Sequence, residues 1–563
     1  MDNTHVDVVV IGSGFGGSVV ACRLAEAGKS VCVLERGRKY PPGAFPRTPK
    51  DMSRNFWDPS RRLYGMFNVW SFKGMEALVS SGLGGGSLIY ANVLLRKPPE
   101  WFEENHAGHS PWPITYADLK PHYARVEERM NAQPYPVEHA PYSNTPKTVA
   151  MKKAAAELGL DWKLPPLAVT FGNDGDVPSP GEPIRERPNL HGKSRSTCRL
   201  CGECDIGCNY GSKNTLDFNY LTDAANAGAD IRELCEVLEF EPRAEGGYTV
   251  RYVRHRPKEG YWKQEGQSFE TITCDRLVLG AGTLGSTFLL LKNRTYFPDV
   301  SPRLGEQFCG NGDLLSFALK CGSGSGKNRR PRDMAPSLGP VITSTVRVPD
   351  TLDGSGSGRG YFVQDAGYPA FLSWVLETSS AASVVKRLAR GLLRRVRALL
   401  RQDPRSDVGS EIADLLGGGA LSSSSLPLLG MGRDVPDGRL SLVRDAKGEP
   451  HLANDWSIAS SQAFFDRMMK TMVDITRVWG GKLLPNPTYR LGRVITVHPL
   501  GGCPMGASSE EGVVDAYGQV FGYPGFFIAD GSVLPGPTGP NPALTIAAVA
   551  DRAADYIIDS MED

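Results

Sequence analysis

The sequence predicts an α/β fold: a helix-covered parallel sheet, interleaved in one chain with a second, mixed unit. Three stretches carry that prediction: a strand, glycine turn and helix over 6–27, an apolar strand over 31–34 that ends on an acid, and another strand, glycine turn and helix over 276–286. Length alone allows about four domains for 563 residues. Large chains often interleave their units, and two domains are expected here.

Val6 to Ile11 is a nearly continuous β-branched run, which suits a parallel strand covered on both faces. Gly12-Ser13-Gly14-Phe15-Gly16-Gly17 follows and opens a helix through Ala21 and Leu24, and the strand Val31 to Leu34 then leads into Glu35-Arg36. That order is the signature of a Rossmann-like dinucleotide site. Gly12 permits the tight turn, Gly14 lets backbone approach a pyrophosphate, and Gly17 lets helix and strand pack closely. Phe15, Gly16 and Arg36 belong to the same cofactor-facing stretch. The fingerprint does not distinguish FAD from NAD.

Residues 41–75 are rich in aromatics, with Phe56, Trp57, Tyr64, Phe67, Trp70 and Phe72. Singly each reads as packing; together they read as a lid over an apolar ligand. The run Gly84-Gly85-Gly86-Ser87, leading to Asn92, brings main-chain N–H groups against a flat or anionic group. Helices are expected near 116–131, 147–158 and 214–224, with Arg125, Glu127, Glu128 and Arg129 on a solvated face. The turn Gly280-Ala281-Gly282 is another close backbone approach in the cofactor sheet. Flexible passages are expected at 322–332, 354–360 and 417–425.

Cys198, Cys201, Cys204 and Cys208 form a C-x-x-C-x-x-C-x-x-x-C run. Close thiolates in this spacing fit an iron–sulfur cluster, with structural zinc and unligated thiols as alternatives. The fourth ligand is Cys208 or a remote cysteine such as Cys235 or Cys309. Such clusters bind metal in reducing compartments. With no signal-peptide pattern at the start, the expected location is the cytoplasm.

The formal charge is +1 with scattered basic residues, so no nucleic-acid partner is expected. A basic amphipathic helix is expected over 384–401, either packed on the body or docking to an anionic membrane surface or an acidic redox carrier.

Together, Gly12-x-Gly14-x-x-Gly17 with Glu35, the Gly84-Gly85-Gly86-Ser87 loop, the Gly280–Ser286 turn and His498-Pro499-Leu500-Gly501-Gly502-Cys503 resemble the glucose-methanol-choline (GMC) flavin oxidoreductases. Within that family the bacterial cholesterol oxidases are the branch they most resemble. The resemblance implies an FAD-binding domain over 1–100, 214–313 and 491–563. It implies a substrate-binding domain on an antiparallel sheet over 101–213 and 314–490. Gly12, Gly14, Gly17 and Glu35 would hold the adenosine half of FAD. Gly86, Ser87 and Asn92 would lie by the flavin, and Asp530 and Gly531 by its ribityl chain. His498 would act as base and Asn541 would orient the substrate hydroxyl, with the helix after Pro542 aimed at the flavin.

The chain departs from the family in three ways. No histidine precedes Gly84 where some relatives link flavin covalently, so FAD is expected to be dissociable. Gln364 stands where cholesterol oxidases carry an isomerising glutamate, leaving Asp365 as the nearest substitute. The cysteine run is foreign to the secreted sterol oxidases. The leading expectation is oxidation of a bulky apolar alcohol of sterol or terpenoid type. A redox-neutral isomerase and an electron-transfer flavoprotein are the alternatives.

Overall fold

Strand Thr4–Ile11 is the centre of the molecule, and Val8, Val9 and Val10 on it have no solvent exposure. It pairs in parallel with Val31–Leu34 on one side and with the end of Gln264–Leu279 on the other. Asp230–Arg232 extends the sheet beyond Val31–Leu34, and Phe526–Ile528 pairs in parallel with Leu277–Leu279. Distant parts of the chain thus form one sheet. Antiparallel strands Cys235–Pro242 and Tyr248–Pro257 continue it along the first half of Gln264–Leu279.

The structure, a computed structural model, describes residues 4–103, 112–257, 264–324, 328–351, 358–368 and 423–562. The basic helix expected over 384–401 lies outside the described residues, as do parts of the passages at 322–332, 354–360 and 417–425. No described helix is long and apolar enough to cross a membrane.

A second sheet is antiparallel throughout, in the order Lys482–Pro485, Leu314–Leu319, Leu426–Gly432, Tyr361–Asp365, Thr345–Val348, Asp161–Lys163. Along Leu314–Leu319 the side chains alternate between its two faces. Leu314 and Ala318 are buried in one core with Phe465, Met468 and Met472 of helix Gln462–Val478, while Leu315 and Phe317 face a cleft.

Helix Tyr116–Arg129 starts at a capping box in which the Thr115 hydroxyl accepts from the Asp118 N–H and the Asp118 carboxylate accepts from the Thr115 N–H. Its charged face is not simply solvated. Arg125 bonds Asp551 of helix Ala543–Asp559 at 2.8 Å, Arg129 bonds Glu26 at 2.5 Å, and Glu127 bonds Arg96 at 2.8 Å. Leu119, Tyr123 and Val126 join the core of the parallel sheet, so this helix packs with the dinucleotide-binding layer. Pro146–Leu158 matches its expected span within a residue. The expected 214–224 helix begins only at Tyr220, where the Asn219 side chain caps the Tyr220 N–H at 2.7 Å. Part of the expected flexible passage at 322–332 is a short hairpin, Gly322–Ser323 with Arg330–Pro331.

Candidate active site

The glycine turn after Thr4–Ile11 is packed too tightly for side chains. Gly12 adopts φ +97°, and a Cβ there would lie 2.4 Å from the Gly280 carbonyl oxygen. A Cβ on Gly16 would strike the Ala529 carbonyl, and one on Gly17 would sit 2.1 Å from the Gly12 carbonyl. Gly14 has nothing within 4 Å of its Cβ position, which leaves an open approach to the backbone. Helix Phe15–Glu26 starts there with no side-chain cap, so its first N–H groups are available to an anion. Glu35 ends the neighbouring strand, its carboxylate accepting from the Ser13 hydroxyl at 2.7 Å and the Gly37 N–H at 2.7 Å. Burial lowers the Arg36 guanidinium from its usual range, with Glu236 and Glu35 opposing the shift.

From this end one cleft of about 1110 Å³ runs between the two sheets. Gly12, Gly14, Phe15, Gly16, Glu35, Arg36, Gly85, Gly86 and Gly282 line it together with Asp530, Gly531, Asn541, Pro542 and His498. Asp530 lies against the glycine turn, since a Cβ on Gly16 would sit 3.2 Å from its Cα. Leu315, Phe317, Pro427 and Leu429 of the antiparallel sheet close it with apolar side chains. Among the aromatics of 41–75, Trp57, Phe67 and Trp70 reach this cleft, whereas Phe72 packs in a core with Trp456 and Phe56 is 39 % exposed.

Four expected cofactor residues stand off the cleft wall. Gly17 serves helix–strand packing. Gly84 and Ser87 close the turn from behind, the Ser87 hydroxyl donating to the Gly84 carbonyl at 2.7 Å and accepting from the Leu216 N–H. Asn92 is fully buried with φ +70° and turns toward Cys204. Asp530 reaches the cleft, but its oxygens are taken. They accept from the Gly282 N–H at 2.9 Å, the Ser286 hydroxyl and the Ser532 N–H and hydroxyl. Asp530 therefore joins the Gly282–Lys292 helix start to the end of Phe526–Ile528.

On the cleft wall His498 Nδ1 donates to Asp313 Oδ1 at 2.7 Å. The other Asp313 oxygen accepts from the Val497 N–H and the Thr496 hydroxyl, both at 2.9 Å. With Nδ1 protonated and held, the Nε2 lone pair is the basic site of the ring. The Asn541 carboxamide oxygen accepts from Gln364 Nε2 at 2.8 Å, so its NH₂ group is left to donate elsewhere. Asn311 holds the approaching loop, accepting from the Gly539 N–H and donating to the Pro540 carbonyl, each at 3.0 Å. Lys97, also buried, donates to the Pro537 carbonyl at 2.8 Å. Asp434 lies under this segment, accepts from the Gly310 N–H at 2.9 Å, and is pushed up to about 7 by burial, with the Asp313 charge adding to the shift.

Asp313, Asn311, Lys97 and the Gln364–Asn541 bond escape the sequence reading. Asp313 and His498 are 185 residues apart, and no local pattern joins them. The one available signal was Gly310-Asn311-Gly312-Asp313, two polar residues alternating with glycine ahead of an apolar strand. Asp365 does not offer a free carboxylate. It is fully buried and accepts from the N–H groups and hydroxyls of both Thr343 and Ser344.

The family described as GMC oxidoreductase matches residues 435–550, which hold His498 and Asn541, and an NAD(P)-binding Rossmann-like domain matches 10–51. A cholesterol oxidase of Mycobacterium tuberculosis is 31% identical over 571 residues, covering 97% of this chain and 90% of that protein. The chain belongs to the GMC oxidoreductases. A cholesterol oxidase of Acinetobacter baumannii is 28% identical over 99% of this chain and 95% of its own length. A long-chain-alcohol oxidase of Arabidopsis thaliana is 25% identical over 99% of this chain and 68% of its own length.

GMC oxidoreductases use FAD, and the cleft fits it. Its volume of about 1110 Å³ exceeds the ~300–1,000 Å³ of a drug-sized site, leaving room for a dinucleotide with a substrate beside it. The open Gly14 backbone and uncapped helix start suit a pyrophosphate, and Ser80 on the wall carries a buried hydroxyl with no partner among the described residues. Both matched regions lie outside residues 198–208, so the family relationship says nothing about a metal at the cysteines.

Proposed function

We propose that this GMC oxidoreductase oxidises the CH–OH group of a bulky apolar alcohol, with His498 as the base. One observation carries the reading: His498, held by Asp313, and Asn541, held by Gln364, line the same cleft as the dinucleotide turn, with apolar Leu315, Phe317 and Leu429 on its wall. When bound, FAD supplies the hydride acceptor. The protein's own groups do the rest. Asp313 fixes the imidazole tautomer, leaving Nε2 to take the hydroxyl proton. The Asn541 NH₂ donates to the substrate oxygen, its direction set by Gln364. Apolar side chains from the antiparallel sheet hold the substrate body and exclude water.

The names of the relatives support a sterol or a long-chain alcohol as the substrate class. Under the isomerase alternative a carboxylate must move a proton across the substrate. Gln364 carries no such proton and Asp365 is consumed by four hydrogen bonds, so the observations favour oxidation.

The test is anaerobic mixing of the FAD-loaded protein with cholesterol and long-chain primary alcohols while flavin absorbance is followed. Bleaching by at least one alcohol is expected, and His498→Gln should slow it by about 10²–10⁴-fold with FAD still bound. Equal bleaching rates in wild type and variant would remove His498 as the base. No bleaching by any alcohol would overturn the reading.

A further inference from the structure

The cysteine run has no part in the alcohol site, yet it is built beside it. Cys198, Cys201, Cys204 and Cys208 line one small cavity together with Lys213 and Gly339, and all four are free thiols. The remote cysteines are elsewhere: Cys235 lines the large cleft and Cys309 bridges to Leu500. The loop is wound tightly about the sulfurs. Leu200 adopts φ +57°, and Gly202 and Gly207 are also in the left-handed region. Segment 339–341 clamps it, Gly202 N–H donating to the Gly339 carbonyl at 3.0 Å and Gly339 N–H to the Leu200 carbonyl at 3.1 Å.

Donors point at the sulfurs. The Leu200 N–H donates to Cys198 Sγ at 3.5 Å, and the backbones of Val341 and Glu203 approach Cys204 and Cys201. The Asn92 carboxamide lies beside Cys204, and among the described residues its polar atoms have no hydrogen-bond partner. N–H groups aimed at sulfur stabilise an anionic thiolate-ligated centre and tune its potential. The buried Lys213 ammonium lies alongside, donating to the Cys204 carbonyl at 2.7 Å.

A single zinc would draw four sulfurs to about 3.8 Å from one another. Among the described residues no three of these sulfurs lie within 4.8 Å of each other; the sets that do are Cys22–Glu26–Asp223 and His122–Asp551–Asp555. A single-ion arrangement of the thiols is thus not preformed among the described residues, and an iron–sulfur centre, which interposes several irons between its thiolates, does not require one. The cavity itself, about 20 Å³, holds about one water, so assembly requires the loop to relax outward. Cys201, Cys204 and Cys208 are only partly buried, which sets the direction of that relaxation.

The position relative to the cleft is the decisive feature. Cys204 faces the small cavity, while Asp205 and Ile206, next in the same turn, line the cofactor cleft beside Gly85 and Gly86. Consecutive Cα atoms are about 3.8 Å apart. One turn of chain, Cys204–Ile206, therefore contributes to both sites.

We propose that Cys198, Cys201, Cys204 and Cys208 bind an iron–sulfur cluster that gives electrons leaving the flavin cleft a one-electron exit. The route rests on the alcohol-oxidation reading above; the metal site does not. Per alcohol, one C–H and one O–H bond break and one C=O bond forms. Two electrons then pass singly through the cluster, its iron alternating between ferric and ferrous, to two equivalents of an external one-electron acceptor, and two protons go to water.

The experiment uses full-length protein purified anaerobically, assayed for iron, acid-labile sulfide, zinc and FAD, and titrated with dithionite. A cluster of this spacing predicts about four irons and four sulfides per chain, with uptake of about three electrons, two at FAD and one at the cluster. Cys201→Ser and Cys204→Ser should each lose most of the iron and take up about two electrons while keeping FAD. Cys201 is the more exposed of the two, so it keeps the test readable should Cys204→Ser not fold. One zinc per chain, metal-free protein, or iron unchanged in both variants would overturn the proposal. Electron exit is read with ferricyanide: wild type should reduce it in the presence of a bleaching alcohol faster than Cys201→Ser, and equal rates would overturn the route. Metal analysis is independent of the alcohol panel, so either reading can fail alone.

Discussion

His498 is legible in the sequence as a histidine among turn residues, but the atom that makes it useful is chosen by Asp313. The same holds for Asn541, whose donor direction is set by Gln364 from another sheet. This makes Gln364→Glu informative. An ionised glutamate cannot donate to the Asn541 oxygen, whereas a protonated one can. The variant should therefore lose kcat/KM at neutral pH and recover part of it as pH falls, a slope absent in wild type and read from the pH profile of alcohol turnover. Asp434 gives a second pH effect with its own sign. Its folded-state value of about 7 lies above the usual carboxylate value of 3.8. Between those limits the folded protein holds a proton that the unfolded chain has released, so stability falls as pH rises, by up to about 1.4 kcal/mol per pH unit. Asp434→Asn should flatten this decline in urea unfolding measured from pH 4 to 8. An unchanged slope would show that Asp434 is not the group responsible.

Elements differ in how far local sequence specifies them. Thr4–Ile11 with its glycine turn is local grammar and forms where the pattern places it, and the helix expected near 116–131 forms as Tyr116–Arg129. The charged face of Tyr116–Arg129 is the counter-example. By periodicity it is a solvent face, but helix Ala543–Asp559, some 420 residues on, supplies Asp551 as a partner for Arg125 (2.8 Å), His122 (2.7 Å) and Arg23 (2.5 Å). Burial raises the Asp551 pKa, but His122, Arg23 and Arg125 outweigh it, and the carboxyl is held below its usual range. Its contribution is thus present above about pH 4 and is lost as pH falls further. Asp551→Asn should cost about 3–5 kcal/mol at neutral pH, read as a lower urea midpoint, because it leaves cations around a neutral amide. A loss under about 1 kcal/mol would mean that the network is solvent-screened.

At the scale of the molecule, the cleft lies between two sheets, each drawn from several separate stretches of chain. A ligand lying along it touches both, and its binding energy adds to the stability of the whole. FAD at about 100 times its Kd should stabilise the protein by about 2.7 kcal/mol and make the melting temperature depend on FAD concentration. A melting curve indifferent to FAD would mean that the cleft does not hold it. The dinucleotide turn, the carboxy-terminal His498 and Asn541 segments and the cysteine spacing could all be read in advance, because each depends on residues within a few positions of one another. The Asp313 and Gln364 partners, the commitment of Asp365 and Asp530 to the framework, and the turn shared by the cysteine cavity and the cleft could not. They depend on contacts between segments separated by tens to hundreds of residues, and only packing of the two sheets determines which side chains meet.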